Sequence, residues 1–139
     1  MASVFTRIID GELPGRFVWR DERCVAFLSI GPINPGHVLV VPIAEVDHWI
    51  DVEPATWARC AEVAQIVGRA VQPAFGRSRV AVLVAGLEVP HCHIHVIPFD
   101  AEGELRFERA RLDTPADELD EAADRIRAAL REQGQQPAE

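Results

Sequence analysis

Short apolar stretches separated by turn residues run along the chain, and they predict five strands. The first two are Phe17–Arg20 and Cys24–Leu28, joined by a polar turn of sequence DER. A third is expected over residues 37–43, where the run HVLVVPI is apolar and β-branched enough to be largely buried. RVAVLVAG and HCHIHVIP, residues 79–86 and 91–98, predict the last two strands.

One long helix is predicted between the third and fourth strands, over about residues 52–71. Asp51 is expected to cap it, Pro54 falls in its first turn, and Pro73 is expected to end it. Its apolar residues recur at helical spacing, so we assign this stripe to the core and not to a cofactor site. The stripe consists of Trp57, Cys60, Ala61, Val63, Ala64, Val67 and Val71.

The sequence changes character after Phe99, where it becomes more polar. An amphipathic helix is predicted at about residues 116–131, capped by Thr114, and the tail GQQPAE is expected to be disordered. We therefore divide the chain into a domain of residues 1–100 and an extension of residues 101–139. Hairpins and one segregated long helix indicate an α+β fold built on an antiparallel sheet.

Composition narrows the possible partners. With 139 residues, 48% of them hydrophobic, the chain is long enough for one domain with a real core. Its net charge of −8 argues against a nucleic-acid surface, but a small pocket for a nucleotide remains possible. No stretch approaches the ~18 apolar residues of a membrane span, and no secretory signal is recognisable. Cys24, Cys60 and Cys92 are widely spaced, which favours buried reduced thiols in a cytoplasmic protein.

Three of the five histidines crowd into one segment, EVPHCHIHVIP, residues 88–98. On a strand, His91, His93 and His95 would share one face, with the outer two Cα atoms roughly 13 Å apart. That spacing is too wide for all three rings to bind one zinc ion. A row of imidazoles instead suits chemistry on phosphates, because one neutral ring can attack phosphorus while its neighbours donate hydrogen bonds. A metal site using two of them with Glu88, or a solvated polar face, stays open as an alternative.

The segment HCHIHVIP resembles the H-φ-H-φ-H-φ-φ signature of the histidine triad (HIT) superfamily of nucleotide hydrolases and transferases, where φ is hydrophobic. IIDGELP, the AF pair of the second strand and PGHVLVVP also resemble that superfamily, in particular its bacterial branch. The resemblance covers about residues 4–98. It implies a five-stranded antiparallel sheet, a homodimer, and hydrolysis or transfer of a nucleoside monophosphate through a covalent nucleotidyl-histidine.

The resemblance also implies roles for individual residues. His93 would be the nucleophile, and His95 would contact the phosphate and the leaving group. His91 and His37, the latter from the PGH motif, would orient the nucleophile by hydrogen bonding. A purine nucleotide would bind against Phe5, Ile8, Phe27, Ser29, Ile30 and Val89. Each apolar member of that set also fits a plain core position, because apolar residues are usually buried for packing.

Several positions depart from the family pattern. Ser29 stands where an aspartate often binds the ribose hydroxyls, and Leu87 and Glu88 replace an amide and a hydroxyl beside the phosphates. A usual upstream asparagine has no counterpart. Bacterial relatives often hold a structural zinc through an N-terminal C-x-x-C motif, whose places are taken by Ser3 and Thr6. We therefore expect neither zinc nor another cofactor.

Two hypotheses of different class follow. The first is a hydrolase of nucleoside phosphoramidates or dinucleoside polyphosphates, which the complete triad favours. The second is a nucleotide-binding regulatory module with little turnover, which Leu87 and Glu88 favour. Leucine cannot donate a hydrogen bond to a phosphate, and a carboxylate repels one. Neither hypothesis requires nucleic acid or a membrane as partner.

Overall fold

Five strands form one antiparallel sheet in the computed structural model of the chain, which describes residues 1–139. In chain order, the helices and strands are α1 (Val4–Ile9), β1 (Phe17–Arg20), β2 (Cys24–Leu28), β3 (Val38–Pro42), α2 (Pro54–Phe75), β4 (Arg79–Leu83), β5 (Ile94–Phe99) and α3 (Ala116–Glu132). The strand order is β1-β2-β3-β5-β4. The predicted α+β fold with a five-stranded antiparallel sheet is confirmed.

Strands β1 and β2 have the predicted bounds, whereas the other three are shorter than predicted. β5 begins only at Ile94, because the Cys92 N–H donates to Val46 O at 2.7 Å and not to a neighbouring strand. β3 begins one residue late, because the His37 N–H donates to Asn34 O in the preceding turn. The segment that carries the three clustered histidines is therefore only partly a strand.

The two faces of the sheet carry different layers. Residues directly opposite each other on antiparallel strands share a face, so the register sorts the side chains. Val40 and Ile94 lie opposite each other in the main core, which the sheet forms with α2 and α3. Phe27, Leu39 and His95 lie side by side on the other face, where Phe5 of α1 packs. The histidines are thus presented on the α1 face of the sheet.

Helix α2 begins without the predicted cap. Asp51 lies in a separate 3-10 turn, Trp49–Asp51, and α2 begins at Pro54 after Glu53, whose side chain makes no capping hydrogen bond. A proline at the first helical position has no N–H to satisfy, so it tolerates this start. The predicted stripe forms part of the core except for Ala61, which is exposed in a groove between α2 and β4.

Pro73 does not end α2, contrary to the prediction. The helix continues to Phe75, and Gly76 ends it with a φ of 65°. A proline inside a helix removes the hydrogen bond to the carbonyl four residues earlier, here that of Arg69. The Gln133 side chain replaces this bond, since its Nε2 donates to Arg69 O at 2.7 Å. The helix tolerates Pro73 because the end of α3 satisfies the freed carbonyl.

The C-terminal extension packs onto the domain through α3. The bounds of α3 agree with the predicted helix of residues 116–131 to within one residue, and its buried Ile126 and Leu130 belong to the main core. Thr114 does not cap α3 as predicted, since its hydroxyl donates to Arg111 O at 2.6 Å. The extension therefore shares one core with the domain and is not a separate unit.

The tail, predicted to be disordered, lies along the edge of β1. The Ala138 N–H donates to Val18 O at 3.1 Å, and Ala138 O accepts from Arg127 Nε at 3.0 Å. The Arg127 guanidinium also donates to Phe17 O, so it connects the tail and the edge of β1 to α3. The chain's own C-terminus covers this edge of the sheet, whereas the other edge, β4, has no neighbouring strand.

The remaining bulk predictions concern membranes and thiols. None of the helices has the length and apolar character that crossing a membrane requires. Cys24, Cys60 and Cys92 are all buried and free, as the sequence predicts. They act as small apolar residues of the interior.

Candidate active site

Three imidazole rings meet at the start of β5. His95 is the second residue of that strand and His93 immediately precedes it. Their ring centroids are 4.9 Å apart, and the His37 centroid lies 5.1 Å from that of His95. His37 reaches the site because Leu39, two residues further along, pairs with His95 across the sheet. Sheet register thus joins two segments separated by 58 residues.

His91 is not on the strand as predicted, although its ring, like that of His93, contacts Phe5 on the α1 face of the sheet. It lies before β5, fully buried, with its ring 5.8 Å from that of Phe5. The His91 N–H donates to Val89 O at 2.8 Å, a bond of a tight turn and not of a strand. The group that His91 supplies to its neighbour is its backbone carbonyl, which accepts from His93 Nδ1 at 2.8 Å.

Hydrogen-bond partners fix the proton positions of His37 and His95. The Ile33 N–H donates to His37 Nδ1 at 3.0 Å, so His37 carries its proton on Nε2. That Nε2–H donates to His95 Nδ1 at 2.9 Å, which leaves the proton of His95 on Nε2. His95 therefore has an N–H donor available on the nitrogen that this pair does not use.

The hydrogen bonds of His93 leave one of its ring nitrogens with a free lone pair. Because the His91 carbonyl accepts from Nδ1 of His93, Nε2 of His93 carries no proton. The His91 ring is fixed in turn, since its Nε2–H donates to Pro42 O and its Nδ1 accepts from the Ser3 hydroxyl, both at 2.7 Å. The site thus combines an unprotonated ring nitrogen on His93 with an N–H donor on His95.

Burial keeps the four imidazoles neutral. It lowers the pKa of His37 to about 3 and that of His95 to about 4, and neighbouring imidazoles act in the same direction. Burial also lowers the pKa of His91 and of His93, although the carbonyls of Pro42 and His91 oppose it. Neutral imidazole is the form that has a lone pair for nucleophilic attack.

The sequence analysis missed the contacts that hold the His91 ring. Ser3 caps α1 by accepting the Thr6 N–H at 3.0 Å, and its hydroxyl donates to His91 Nδ1. The Glu45 carboxylate accepts from the Ser3 N–H at 2.8 Å and from the Thr6 hydroxyl at 2.6 Å, which keeps the pKa of Glu45 below its ordinary value. A serine just before a helix was the only signal in the sequence, and Glu45 gave none.

These residues do not fit a structural zinc ion. Zinc takes thiolates, imidazoles and carboxylates, whereas Ser3 and Thr6 offer hydroxyls that already bond to His91 and Glu45. No group of three or more His, Cys, Asp or Glu side chains converges in a way that could hold a metal ion. A metal site built from two triad histidines and Glu88 therefore has no geometric support.

Four of the predicted base-binding residues form one apolar cluster beside His93. Phe5 and Phe27 pack edge to face with ring centroids 5.6 Å apart, and Phe5 meets the His93 ring at 4.9 Å. Ile8 and Val89 pack against the same cluster and are only partly buried. Since Phe5 and Phe27 are buried, Ile8 and Val89 are the members of the cluster that a ligand can contact most directly.

Two other predicted binding residues lie apart from this cluster. Ile30 is 71% exposed and is not packed against it. The Ser29 hydroxyl oxygen accepts the Gly31 N–H at 3.3 Å, and Ser29 lines a separate cavity bordered by α3. The Ser29 N–H donates to His37 O at 3.0 Å, so its backbone adjoins the histidine site.

The two unusual residues before the triad lie on the surface. Leu87 is 94% exposed, and Glu88 is exposed as well. The negative charge of Glu88 raises the pKa of His93, in opposition to burial. Glu88 therefore acts on His93 through its charge, while Leu87 has no polar group to offer a phosphate.

The extension reaches the site through Phe107. This residue begins a short 3-10 turn, Phe107–Arg109, and its ring centroid lies 5.2 Å from that of His95 in an edge-to-face contact. Phe107 remains 42% exposed. One side of the His95 ring is thus covered by a residue of the same chain's extension.

Comparisons with known proteins agree with this geometry. The family model described as the HIT domain matches residues 10–102. An uncharacterised HIT-like protein of Methanocaldococcus jannaschii is 34% identical over 107 residues, which are 73% of this chain and 83% of that protein. An adenylylsulfatase of Arabidopsis thaliana is 29% identical over 127 residues, covering 84% of this chain and 64% of that protein.

The solved structures extend the agreement to three dimensions. A zinc-bound histidine triad family protein from Mycobacterium smegmatis matches with a TM-score of 0.83 and 28% identity, covering 96% of each chain. Hydrolases that act on nucleotides occur among the relatives, the adenylylsulfatase being one. The triad sequence, the fold around it and the match over residues 10–102 lead to one conclusion: this chain belongs to the HIT domain family.

Proposed function

We propose that this protein is a hydrolase or transferase of nucleotides, acting on nucleoside phosphoramidates or dinucleoside polyphosphates through a covalent nucleotidyl-His93. The observation that carries the proposal is the bond of 2.8 Å from His93 Nδ1 to His91 O, which leaves Nε2 free to attack. Nucleotide hydrolases among the relatives support the same reaction class.

The proposed reaction has two displacements at one phosphorus atom. Nε2 of His93 attacks the α-phosphorus, so that a P–N bond forms and the bond to the leaving group breaks. The Nε2–H of His95 donates a hydrogen bond to the phosphoryl oxygen or leaving atom as negative charge develops there. Water then attacks the same phosphorus, the P–N electron pair returns to His93, and the proton that this water loses replaces the one that the leaving group took up from solvent. His37 keeps His95 in its donor tautomer throughout.

The proposed ligand is a purine nucleotide, with its base against Ile8 and Val89 and with Phe5 and Phe27 behind them. The partial burial of the first two residues and the contact of Phe5 with His93 support this placement. We assign no cofactor to the reaction, because imidazoles and water are sufficient for both displacements.

A nucleotide-binding module with little turnover is the second candidate. The exposed Leu87 and the charge of Glu88 favour it, because neither residue can donate a hydrogen bond to a phosphate. The double variant Leu87→Gln/Glu88→Ser separates the two candidates. Turnover that appears only in this variant would assign the natural chain to the binding class.

The decisive assay measures hydrolysis of an adenosine phosphoramidate with and without a chelator. We expect turnover that the chelator does not affect and that His93→Asn abolishes, with a loss of at least about a thousandfold because the covalent route disappears. His48→Asn is the matched control, since His48 is exposed and lies outside the site. Turnover retained in His93→Asn, or lost with the chelator, would refute the covalent mechanism.

We further propose a homodimer built on β4 and α2. The edge of β4 is unpaired and Val82 is 58% exposed on it, beside an apolar groove formed with α2. The opposite edge of the sheet is already covered by the chain's own tail. A second copy that pairs its own β4 with this edge would continue the sheet and cover the groove.

A further inference from the structure

A cavity of about 460 Å³ has His37 in its wall but is lined by neither His93 nor His95. It is bordered by the turn before β3, the C-terminal end of α2, the segment before α3 and the first turns of α3. This volume is in the range of cavities that bind small molecules. Its walls combine apolar surface with charged side chains, among them four arginines: Arg77, Arg109, Arg111 and Arg125. Such a cluster contrasts with the net charge of −8 of the whole chain.

The four arginines differ in how their charge is compensated. Three form ion pairs, at 2.9 Å for Arg77–Asp100 and 3.1 Å for both Arg111–Glu118 and Arg125–Glu121. Arg109 forms no ion pair. Its guanidinium makes one hydrogen bond, from Nη2 to Asn34 Oδ1 at 3.3 Å, and its Nη1 is buried without any partner. Arg109 is therefore the one arginine of this cavity whose charge no carboxylate of the chain compensates.

Asn34 holds the Arg109 guanidinium in a defined place. The Asn34 amide is itself buried and fixed, since its Nδ2 donates to Pro98 O at 3.0 Å and to Glu104 Oε1 at 2.8 Å. Its Oδ1 is thereby directed to Arg109. The planar guanidinium matches the oxygen geometry of phosphate, and binding costs less conformational entropy when the side chain is already held in place.

One neutral hydrogen-bond donor also lines the cavity. The Ser29 hydroxyl uses its oxygen to accept the Gly31 N–H, so its own proton is free to donate into the cavity that Ser29 lines. The first turn of α3 also borders the cavity, but it adds no positive charge, because it carries Asp117 and Glu118 and the Asp117 carboxylate already accepts the Glu118 N–H at 3.0 Å.

We propose that this cavity binds a phosphate-class oxyanion, free or as the terminal group of a small metabolite, with Arg109 as its principal ligand. Arg109 is the one arginine of this cavity that no carboxylate pairs with, and an anion bound there supplies the missing counter-charge. The site does not depend on the chemistry of His93, since neither His93 nor His95 lines the cavity.

Calorimetric titration of the full-length chain with orthophosphate tests the proposal. We expect saturable binding that Arg109→Gln weakens by at least about tenfold, because a charge-assisted hydrogen bond is lost. Arg106→Gln is the matched control, because Arg106 lies three residues earlier, is exposed and does not line the cavity. The affinity of this variant for orthophosphate should stay within about twofold of that of the unmodified chain. If Arg109→Gln does not fold, Arg109→Lys replaces it in the test. That variant keeps the positive charge but lacks the planar pair of N–H donors, so it should also weaken binding.

The same titration distinguishes this cavity from the histidine site and the two sources of phosphate. His93→Asn should bind orthophosphate as the unmodified chain does, whatever the outcome of the turnover assay. If glycerol 3-phosphate binds more tightly than orthophosphate, the ligand is the phosphate group of a metabolite. If the two bind equally, the ligand is the free ion. Absence of binding, equal weakening by the Arg106 and Arg109 variants, or loss only in His93→Asn would overturn the proposal.

Discussion

At the scale of single residues, the hydrogen-bond neighbours of each imidazole decide which of its two nitrogens carries the proton. An N–H of the backbone selects the tautomer of His37, and through it that of His95. The His91 carbonyl selects the tautomer of His93. The Pro42 carbonyl and the Ser3 hydroxyl select that of His91. Each ring is therefore neutral and directional before any ligand binds, which is the preorganisation that catalysis requires.

Acid destabilisation follows from these lowered pKa values. The folded chain holds the pKa of His37 at about 3 and that of His95 at about 4, against an ordinary value of 6.5. As the pH falls from 6.5 to 5, the unfolded chain gains protons that the folded chain does not, so the free energy of unfolding falls. Each such histidine contributes at most about 1.4 kcal/mol per pH unit to the slope of the free energy of unfolding against pH.

The measurement is urea unfolding at several pH values between 6.5 and 5, a range above the titration of most carboxyl groups. His95→Gln should reduce the slope by the contribution of one proton, and His48→Gln is the matched control at an exposed histidine outside the site. An unchanged slope in His95→Gln would show that this ring is charged in the folded state.

At the scale of elements, the turn that delivers His37 depends on the end of α2. Gly36 has a φ of 91°, and a Cβ there would lie 2.6 Å from Cδ2 of Phe75. Both the backbone conformation and the close approach require glycine at this place. The glycine of the PGH motif thus lets the turn pass against α2 and put His37 beside His95.

Gly36→Ala is expected to lower the free energy of unfolding by about 2–4 kcal/mol, from left-handed strain and overlap with Phe75 together. Gly76→Ala is the matched control, because Gly76 has a φ of 65° but nothing within 4 Å of a Cβ, so only about 1–2 kcal/mol should be lost. Thermal or urea unfolding measures both. Equal losses would mean that the Phe75 ring moves aside at no cost.

At the scale of the whole molecule, the extension completes the domain. Its helix α3 joins the main core, its Gln133 satisfies a carbonyl of α2, and its tail covers the edge of β1. The remaining edge, β4, and the groove beside it stay open. One covered and one uncovered edge are the reason to expect self-association through β4 alone.

Val82→Asp should convert the proposed dimer to a monomer, because a charge on the edge of β4 would be buried unpaired against the second copy. Light scattering after size-exclusion chromatography gives the mass directly. Ile50→Asp is the control, since Ile50 is 62% exposed in the 3-10 turn outside β4 and the groove. A monomeric unmodified chain, or a dimer that survives Val82→Asp, would contradict this interface.

Much of the fold follows from the sequence alone. Apolar runs and helical periodicity predicted β1, β2, the core stripe of α2 and the position of α3, because burial of one side of an element leaves a local periodic pattern. The resemblance of HCHIHVIP and PGHVLVVP to the HIT superfamily also selected the histidines that the structure brings together, His37, His93 and His95.

Only the tertiary structure decided the contacts that give these residues their chemistry. The placement of His91 off the strand, its bonds to Ser3 and Pro42, the Gln133 bond that spares Pro73, and the unpaired Arg109 all join segments distant in sequence. Such contacts leave no periodic pattern, because each depends on how the sheet register and the packing of α2 and α3 close long loops. The sequence by itself determined most of the elements and indicated His93 as the candidate nucleophile, and the packing determined which nitrogen of that ring is free.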